Sequence, residues 1–124
     1  MHELSVVGPI IKIAERVALD NNVERIKAVH LAVGELHDLD EQWAAKYFER
    51  YSRNTRLEGA ELKIRKIPIC FHCRDCGTER IFTHFTFVNT GVITCEKCGK
   101  EMPMITGKEM RIEGIECAAS NEDE

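Results

Sequence analysis

The sequence lacks the features of several large classes of protein. Among its 124 residues there is no uninterrupted apolar run long enough to cross a bilayer. The opening residues also lack the basic start of a secretory signal peptide, because Glu3 is acidic and Gly8 and Pro9 interrupt the apolar stretch behind it. We therefore expect a cytoplasmic protein without a membrane partner.

Two further absences bear on chemistry. There is no Ser/His/Asp order or paired-carboxylate constellation that would mark a hydrolytic centre, so we expect no enzyme activity. There is no surplus of positive charge either, because 17 Lys and Arg residues stand against 21 Asp and Glu residues, for a net charge of -4. Proteins that bind nucleic acid rely on a basic surface. We expect no nucleic-acid partner.

Cysteines, in contrast, are plentiful. A cytoplasmic protein keeps its six cysteines as thiols or metal ligands rather than disulfides. Four of them form two Cys-x-x-Cys pairs, each followed by glycine and separated by eighteen residues: Cys73, Cys76, Cys95 and Cys98. This spacing predicts a closed site for structural Zn(II), which leaves no open coordination position for catalysis.

The register of the first pair has an alternative. Cys70 lies as far before Cys73 as Cys73 lies before Cys76, so Cys70 and Cys73 are a second candidate pair. We favour Cys73 with Cys76 because a glycine follows Cys76, as one follows Cys98, and lets the backbone amides turn toward sulfur. Cys70 stays open as a substitute ligand, and Cys70 and Cys117 are not expected to bond to each other.

The first half of the chain predicts two helices and one strand. Apolar residues recur at helical spacing over residues 3–22, although Pro9 predicts that the regular helix starts only there. Residues 26–33 have the composition of a strand. A second amphipathic helix is predicted over 38–54, with Asp38 as its cap. Its aromatic residues are assigned to the core: Trp43, Tyr47, Phe48 and Tyr51.

The second half predicts two more strands on either side of a metal-binding segment. Alternation indicates strands near 60–67 and after Gly107, with the zinc lobe between them at 68–107 and a ribbon strand over Phe82 to Val88. We predict an α+β fold in which two helices lie on a three-stranded sheet, with an inserted zinc-ribbon lobe. If the second and third strands pair, the lobe connects them.

The corresponding domain prediction has three parts. Residues 1–67 with 108–117 form the α+β domain, residues 68–107 the zinc lobe, and residues 118–124 a polar, acidic tail expected to be disordered. A zinc ribbon that binds nucleic acid is the alternative function, but the lobe carries four basic and four acidic residues. A homodimer is open as an alternative to a monomer.

The chain begins Met1-His2-Glu3, which offers a set of nitrogen donors. A bulky residue at position two blocks removal of the initiator methionine, so the amine is expected on Met1. The amine, the amide and imidazole nitrogens of His2 and the amide nitrogen of Glu3 make four donors in one plane. Ni(II) and Cu(II) prefer such square-planar nitrogen coordination, whereas zinc favours a tetrahedron.

Several motifs together resemble the HypA/HybF family of hydrogenase nickel incorporation proteins. They are Met1-His2-Glu3-Leu4-Ser5, Val33-Gly34-Glu35-Leu36, the two Cys-x-x-Cys-Gly motifs, and the stretch Met110-Arg111-Ile112-Glu113-Gly114-Ile115-Glu116. The resemblance covers nearly the whole chain.

The resemblance implies a metallochaperone that delivers Ni(II) during maturation of [NiFe]-hydrogenase. It implies nickel binding at Met1, His2 and Glu3, and structural zinc at Cys73, Cys76, Cys95 and Cys98. The implied partners are a HypB-type GTPase and the hydrogenase large subunit, with urease open as a second client. Gly8-Pro9 and Cys70 depart from the family pattern.

Overall fold

A computed structural model of the chain describes residues 3–83 and 93–118. Its contacts divide these residues into two compact units. The first unit holds Leu39–Arg65 together with the described residues up to Ala32 and from Arg111 onward. The second holds Val33–Asp38 and the described part of Lys66–Met110. Of the predicted tail, only Ala118 belongs to the described residues.

Helix α1 of the first unit spans Glu3–Asp20 and contains Pro9. The prediction that the regular helix starts at Pro9 was therefore wrong. A proline inside a helix removes one backbone donor, but apolar side chains on both sides of Pro9 are buried and offset this cost. The buried stripe consists of Val7, Ile10, Ile11, Ala14 and Ala18.

Helix α2 spans Glu41–Tyr51, and its cap is Asp40 rather than Asp38. An Asp40 carboxylate oxygen accepts hydrogen bonds from the backbone amides of Gln42 and Trp43 at 3.0 and 3.2 Å. Asp38 instead ends the short 3-10 helix Glu35–His37 in a left-handed conformation, with φ of 50°. The predicted cap was wrong because the chain makes this extra turn before α2 begins.

The revised cap leads to a prediction about stability. Asp40→Ala removes the acceptor for two otherwise unpaired helix amides and should lower the free energy of unfolding by about 1 kcal/mol. Asp40→Asn keeps a side-chain oxygen and should retain most of that energy. Urea denaturation of the three proteins measures the difference. Equal stability of Asp40→Ala and the parent protein would show that the cap contributes nothing.

Only part of the aromatic set on α2 is core. Phe48 is 2% exposed and lies on the same helix face as buried Ala44. Trp43 and Tyr51 are 50% and 47% exposed, and Tyr47 is half-buried. The assignment of Trp43 and Tyr51 to the core was wrong because helical spacing alone does not say which of two adjoining stripes faces inward.

The main sheet has three strands: β1 (Ile26–Gly34), β2 (Glu61–Ile67) and β6 (Met110–Cys117). Their order is β2-β1-β6, so β1 lies in the centre. The conditional prediction that the second and third strands in sequence pair with each other was wrong. Strand β1 is apolar on both faces, which suits a central position better than an edge.

Charged side chains from the two edge strands meet above β1. The Arg65 guanidinium donates to Glu113 at 3.0 Å, and the Lys63 ammonium donates to Glu116 at 3.2 Å. His30 of β1 also contacts Glu116. These pairings lower the pKa of Glu113, chiefly through Arg65, and the pKa of Glu116, chiefly through His30 and then Lys63.

Strand β6 departs from regular alternation in its middle. Lys63 and Arg65 are two residues apart and project from one face of β2, yet their partners Glu116 and Glu113 are three residues apart. Exposure along β6 likewise stops alternating at Gly114 and Ile115, where two half-buried residues follow each other. The contacts place both carboxylates on the face of the sheet that carries Lys63 and Arg65.

The second unit contains β3 (Ile69–His72), β4 (Glu79–Phe82) and β5 (Met104–Thr106) in the order β4-β3-β5. Both pairs with β3 are antiparallel. The predicted ribbon strand over Phe82 to Val88 lies mostly outside the described residues, although Phe82 ends β4. A small core fills this unit, with members Ile69, Phe71, Cys73, Phe82, Ile93, Cys95 and Met102.

Two glycines in the second unit allow a close backbone approach. A Cβ on Gly34 would lie 2.0 Å from the Gly107 carbonyl oxygen, and a Cβ on Gly107 would lie 2.8 Å from the Ile69 Cα atom. The Leu36 amide donates to the same Gly107 carbonyl at 2.9 Å. Gly34 of the Val33-Gly34-Glu35-Leu36 motif is thus required by backbone contact.

No helix in the described ranges is both long enough and apolar enough to span a membrane.

Candidate metal centre

Two matching turns carry the four paired cysteines. In the first, the Gly77 amide donates to the Cys73 carbonyl at 2.8 Å; in the second, the Gly99 amide donates to the Cys95 carbonyl at the same distance. Gly77 and Gly99 have φ of 77° and 75°, in the left-handed region that suits glycine. The glycine after each pair therefore closes the turn that directs both thiols to one side.

The two turns bring the four thiols together. The sulfur atoms of Cys73, Cys76, Cys95 and Cys98 all lie within 4.8 Å of one another. The shortest separations join the turns, at 3.4 Å from Cys73 to Cys98 and 3.4 Å from Cys76 to Cys95. Zinc–sulfur bonds of about 2.3 Å imply sulfur separations of about 3.8 Å in a tetrahedron. The cluster fits one zinc ion.

Each pair has one inner and one outer thiol. Cys73 and Cys95 are buried in the small core of the second unit, whereas Cys76 and Cys98 are exposed. The inner thiols join the cluster to β3 and to the segment around Ile93, so a metal held by all four sulfurs would tie these segments together. An ion held this way has a structural role, because protein sulfur fills every position around it.

Backbone amides favour the charged form of the inner thiols. The Cys76 and Asp75 amides hold the pKa of Cys73 below its usual value. The Cys98 amide is the main cause that lowers the pKa of Cys95 to about 6. Thiolates are the form that binds zinc.

The outer thiol Cys98 behaves in the opposite way. The Lys100 amide favours its thiolate, but a hydrogen bond with Cys73, desolvation of the sulfur atom within the cluster and a hydrogen bond with Cys95 together raise its pKa to about 11. Adjacent thiolates repel one another. A dication removes that repulsion, so zinc and full ionisation of the cluster favour each other.

Cys70 lies outside the four-sulfur cluster. It is buried on β3, where its thiol contacts the Phe71 carbonyl oxygen at 3.9 Å, and burial raises its pKa. A buried thiol with a raised pKa is a poor zinc ligand. Cys70 and the exposed Cys117 are both free cysteines.

Sequence reasoning missed the polar contacts around the cluster. The Thr78 hydroxyl lies 3.1 Å from the Cys76 sulfur, directly after the glycine of the first turn. Arg80 of β4 pairs with Glu96 at 3.2 Å and Lys100 pairs with Asp75 at 3.3 Å, so each ion pair links the segment that follows or contains one Cys-x-x-Cys pair to that of the other. Two of the four cations of this segment are thus neutralised, which weakens its attraction for phosphate.

The histidines make contacts other than metal coordination in the described residues. His37 donates from Nε2 to the Lys108 carbonyl oxygen at 3.0 Å, and His72 Nδ1 lies 3.2 Å from Glu79. His84 lies outside the described residues, as do Met1 and His2. Glu3, the third residue of the nickel motif, is the first residue of α1.

Comparison with known proteins gives a consistent answer. A family model described as hydrogenase/urease nickel incorporation, metallochaperone, hypA matches residues 1–117. The chain belongs to the HypA family. The family's members are nickel metallochaperones and maturation factors, not enzymes.

Individual HypA relatives agree along nearly the full length. The chain is 36% identical to the hydrogenase maturation factor HypA of Syntrophus aciditrophicus over 114 residues, which cover 90% of this chain and 95% of the relative. It is 30% identical to HypA of Wolinella succinogenes, with 98% and 99% covered.

A solved structure shares the fold. The solution structure of the Ni metallochaperone HypA from Helicobacter pylori matches with a TM-score of 0.62 and 28% identity, and the match covers 97% of this chain and 100% of that chain. The α+β prediction and the family resemblance are confirmed.

Proposed function

We propose that this HypA-family chain binds Ni(II) through its first three residues and delivers it to the large subunit of [NiFe]-hydrogenase with a HypB-type GTPase. The observation that supports this most strongly is the match to the nickel-incorporation family, which includes residue 1. The activity is assigned to the cytoplasm, where the free cysteines of the chain persist as thiols.

Four nitrogen donors hold the metal in this proposal. They are the terminal amine of Met1, the amide and imidazole nitrogens of His2, and the amide nitrogen of Glu3. Such a donor set suits the square-planar preference of Ni(II). Acid should release the metal, since the amine and imidazole must lose their protons before they bind it.

The start of α1 at Glu3 affects this site in two ways. The first amides of a helix have no carbonyl partner within the helix, so use of the Glu3 amide breaks no helical hydrogen bond. The positive end of the helix dipole disfavours a bare cation. Two deprotonated amides neutralise Ni(II), which removes that conflict.

The proposed chemistry is transport. A site at a chain end can be presented to a partner without unfolding the rest of the protein. Transfer proceeds only if the acceptor, or the docked complex, binds nickel more tightly than the free terminus does. In the proposal, GTP-linked changes in the partner supply this difference.

Zinc has a separate, structural role in the proposal. Cys73, Cys76, Cys95 and Cys98 hold it, because their four sulfurs converge and the inner pair is stabilised as thiolate. The relatives are hydrogenase maturation factors, which favours hydrogenase as the client, and urease is a second client because the family description includes it.

The test compares untagged protein with two variants, His2→Ala and a form with one additional residue before Met1. Both should lose nickel in equilibrium dialysis, because the first removes the imidazole and the second moves the amine out of the chelate. Zinc should stay at one ion per chain in all three proteins. Lys12→Ala on the exposed side of α1 is a control that should bind both metals normally.

Retention of nickel by both variants would overturn the proposal. So would an absorption spectrum with intense sulfur-to-nickel charge-transfer bands, since these would place nickel among the thiolates.

A further inference from the structure

Three aromatic side chains form a ridge along the outer side of α2. Trp43, Tyr47 and Tyr51 follow one another at four-residue spacing, with ring centroids 5.9 and 6.3 Å apart. The two end residues are about half exposed. We call this set the aromatic ridge. On the same helix, Ala44 and Phe48 are buried, so α2 is anchored in the first unit while the ridge faces outward.

Three cations lie beside the ridge. Lys46 lies with its ammonium 4.8 Å from the centre of the Trp43 ring, and Arg50 and Arg53 follow at helical spacing. A shallow groove of about 360 Å³ runs between the ridge and these cations. The only carboxylate that lines it in the described structure is Glu49, which Arg53 binds at 2.8 and 3.0 Å.

The local charge has the opposite sign to that of the whole chain. Three cations and one carboxylate line the groove, whereas the chain as a whole carries a net charge of -4. Electrostatic complementarity therefore selects an acidic ligand at this surface. Within the described residues Arg50 forms no ion pair, so its guanidinium is available to a carboxylate from outside.

We propose that the aromatic ridge, with Lys46 and Arg50, is a docking surface for an acidic segment of a partner protein. Trp, Tyr and Arg are the residue types most enriched among the side chains that dominate binding energy at protein interfaces. A segment with an apolar side chain between carboxylates would place the apolar group on the ridge and the carboxylates beside Lys46 and Arg50.

The arrangement of the rings favours a protein over a nucleic acid. Neighbouring rings are tilted by 30° and 36° and contact one another. A base held between two rings would need them about 7 Å apart, at two van der Waals separations. Rings this close leave no gap into which a base could stack, whereas an apolar side chain of a protein segment can lie against their exposed edges.

This inference rests on the proposed function for the choice of partners to test. Purified HypB-type GTPase and purified hydrogenase large subunit, both from the source organism of this chain, are immobilised separately. Binding of the zinc-loaded chain is measured by biolayer interferometry between 50 and about 300 mM salt, a range in which exposed charge interactions are progressively screened.

Three variants separate the two contributions. Trp43→Ala with Tyr51→Ala removes the exposed rings, Arg50→Glu reverses the charge, and Arg50→Lys keeps it. The first two should raise the Kd for at least one partner by about tenfold or more. Arg50→Lys should restore most of the affinity. Arg50→Glu should also flatten the dependence of Kd on salt, an effect that a purely structural defect would not produce.

Lys12→Glu is the matched control for charge, since Lys12 is an exposed cation on the other helix. Its affinity should stay within about twofold of the parent protein. Unchanged Kd values for both partners in Trp43→Ala/Tyr51→Ala and Arg50→Glu would overturn the proposal. The proposal is also overturned if the parent chain binds neither partner. The same holds if the variants bind both partner proteins normally and lose binding only to labelled single-stranded RNA.

Nickel binding separates the two proposals. The α2 variants should bind nickel at the amino terminus as the parent does, so a loss of docking with nickel retained supports the ridge. Absence of nickel from the parent protein would instead overturn the proposed function and leave the docking result to stand by itself.

Discussion

Cys95→Ser is expected to abolish zinc binding and to unfold the second unit. Cys95 is buried, and its backbone contacts lower its pKa to about 6, so it is a strong candidate for a thiolate ligand. Serine cannot ionise to replace it. Structural zinc contributes an apparent binding free energy of about 10–16 kcal/mol in small zinc-binding peptides. The small core of the second unit cannot compensate for such a loss.

Because the two units contain different secondary structure, unfolding of the second unit can be measured separately from that of the first. Both helices belong to the first unit, so the helical signal in far-ultraviolet circular dichroism should persist in Cys95→Ser. Amide hydrogen exchange should show loss of protection in β3, β4 and β5. Zinc content should fall from one ion per chain to none.

Cys117→Ser is the matched control, because Cys117 is an exposed free cysteine on β6. It should keep one zinc ion and normal protection in β3 to β5. A Cys95→Ser protein that retained zinc and these protected amides would show that the four-sulfur cluster is not the zinc site.

The lowered pKa of Cys95 also predicts that acid destabilises the second unit. The folded pKa of Cys95 is lower than its unfolded value, so its contribution to stability is present above the unfolded pKa near 9 and is lost as the pH falls through about 6. Protonation should therefore release zinc and destabilise the second unit together.

Gly34→Ala should lower the free energy of unfolding by at least about 3 kcal/mol. The added methyl group would lie 2.0 Å from the Gly107 carbonyl oxygen and 2.5 Å from the Lys108 nitrogen. Both are backbone atoms, and the Gly107 carbonyl oxygen also accepts a hydrogen bond from the Leu36 amide, so they cannot move as a flexible side chain would. Urea denaturation of zinc-loaded protein measures the change.

Gly8→Ala is the matched substitution. A Cβ on Gly8 meets nothing within 4 Å, and Gly8 lies inside α1. Alanine there should raise stability by about 0.5–1 kcal/mol through reduced backbone entropy of the unfolded chain. If the two alanine variants unfolded at the same urea concentration, the close approach of Gly34 to Gly107 would be refuted.

Local patterns were enough to predict the two α-helices and the three strands of the main sheet, but not β3, β4 and β5. Val7, Ile11, Ala14 and Ala18 recur at helical spacing, and the alternation over 61–67 gives β2, because burial of a single face imposes a period on the sequence. The convergence of four cysteines followed from the Cys-x-x-Cys-Gly spacing, since a glycine in the left-handed region closes each turn.

Details that depend on contacts distant in sequence were not predictable in this way. The exposure of Trp43 depends on which side of α2 the rest of the first unit covers. The central place of β1 depends on its pairing with two strands that are separated in sequence by residues 68–109. The cap at Asp40 depends on a preceding turn that also carries Leu36 to the Gly107 carbonyl.

The sequence by itself determined the fold class, the two α-helices and the strands of the main sheet, the cysteine pairs and the membership of the HypA family, because each is encoded by spacing within short stretches of chain. The tertiary structure decided the strand order, the exclusion of Cys70 from the sulfur cluster, the backbone approach of Gly34 to Gly107 and the exposure of the aromatic ridge. Those features arise only when distant segments meet, and the free energies of such contacts leave no periodic signal in the sequence.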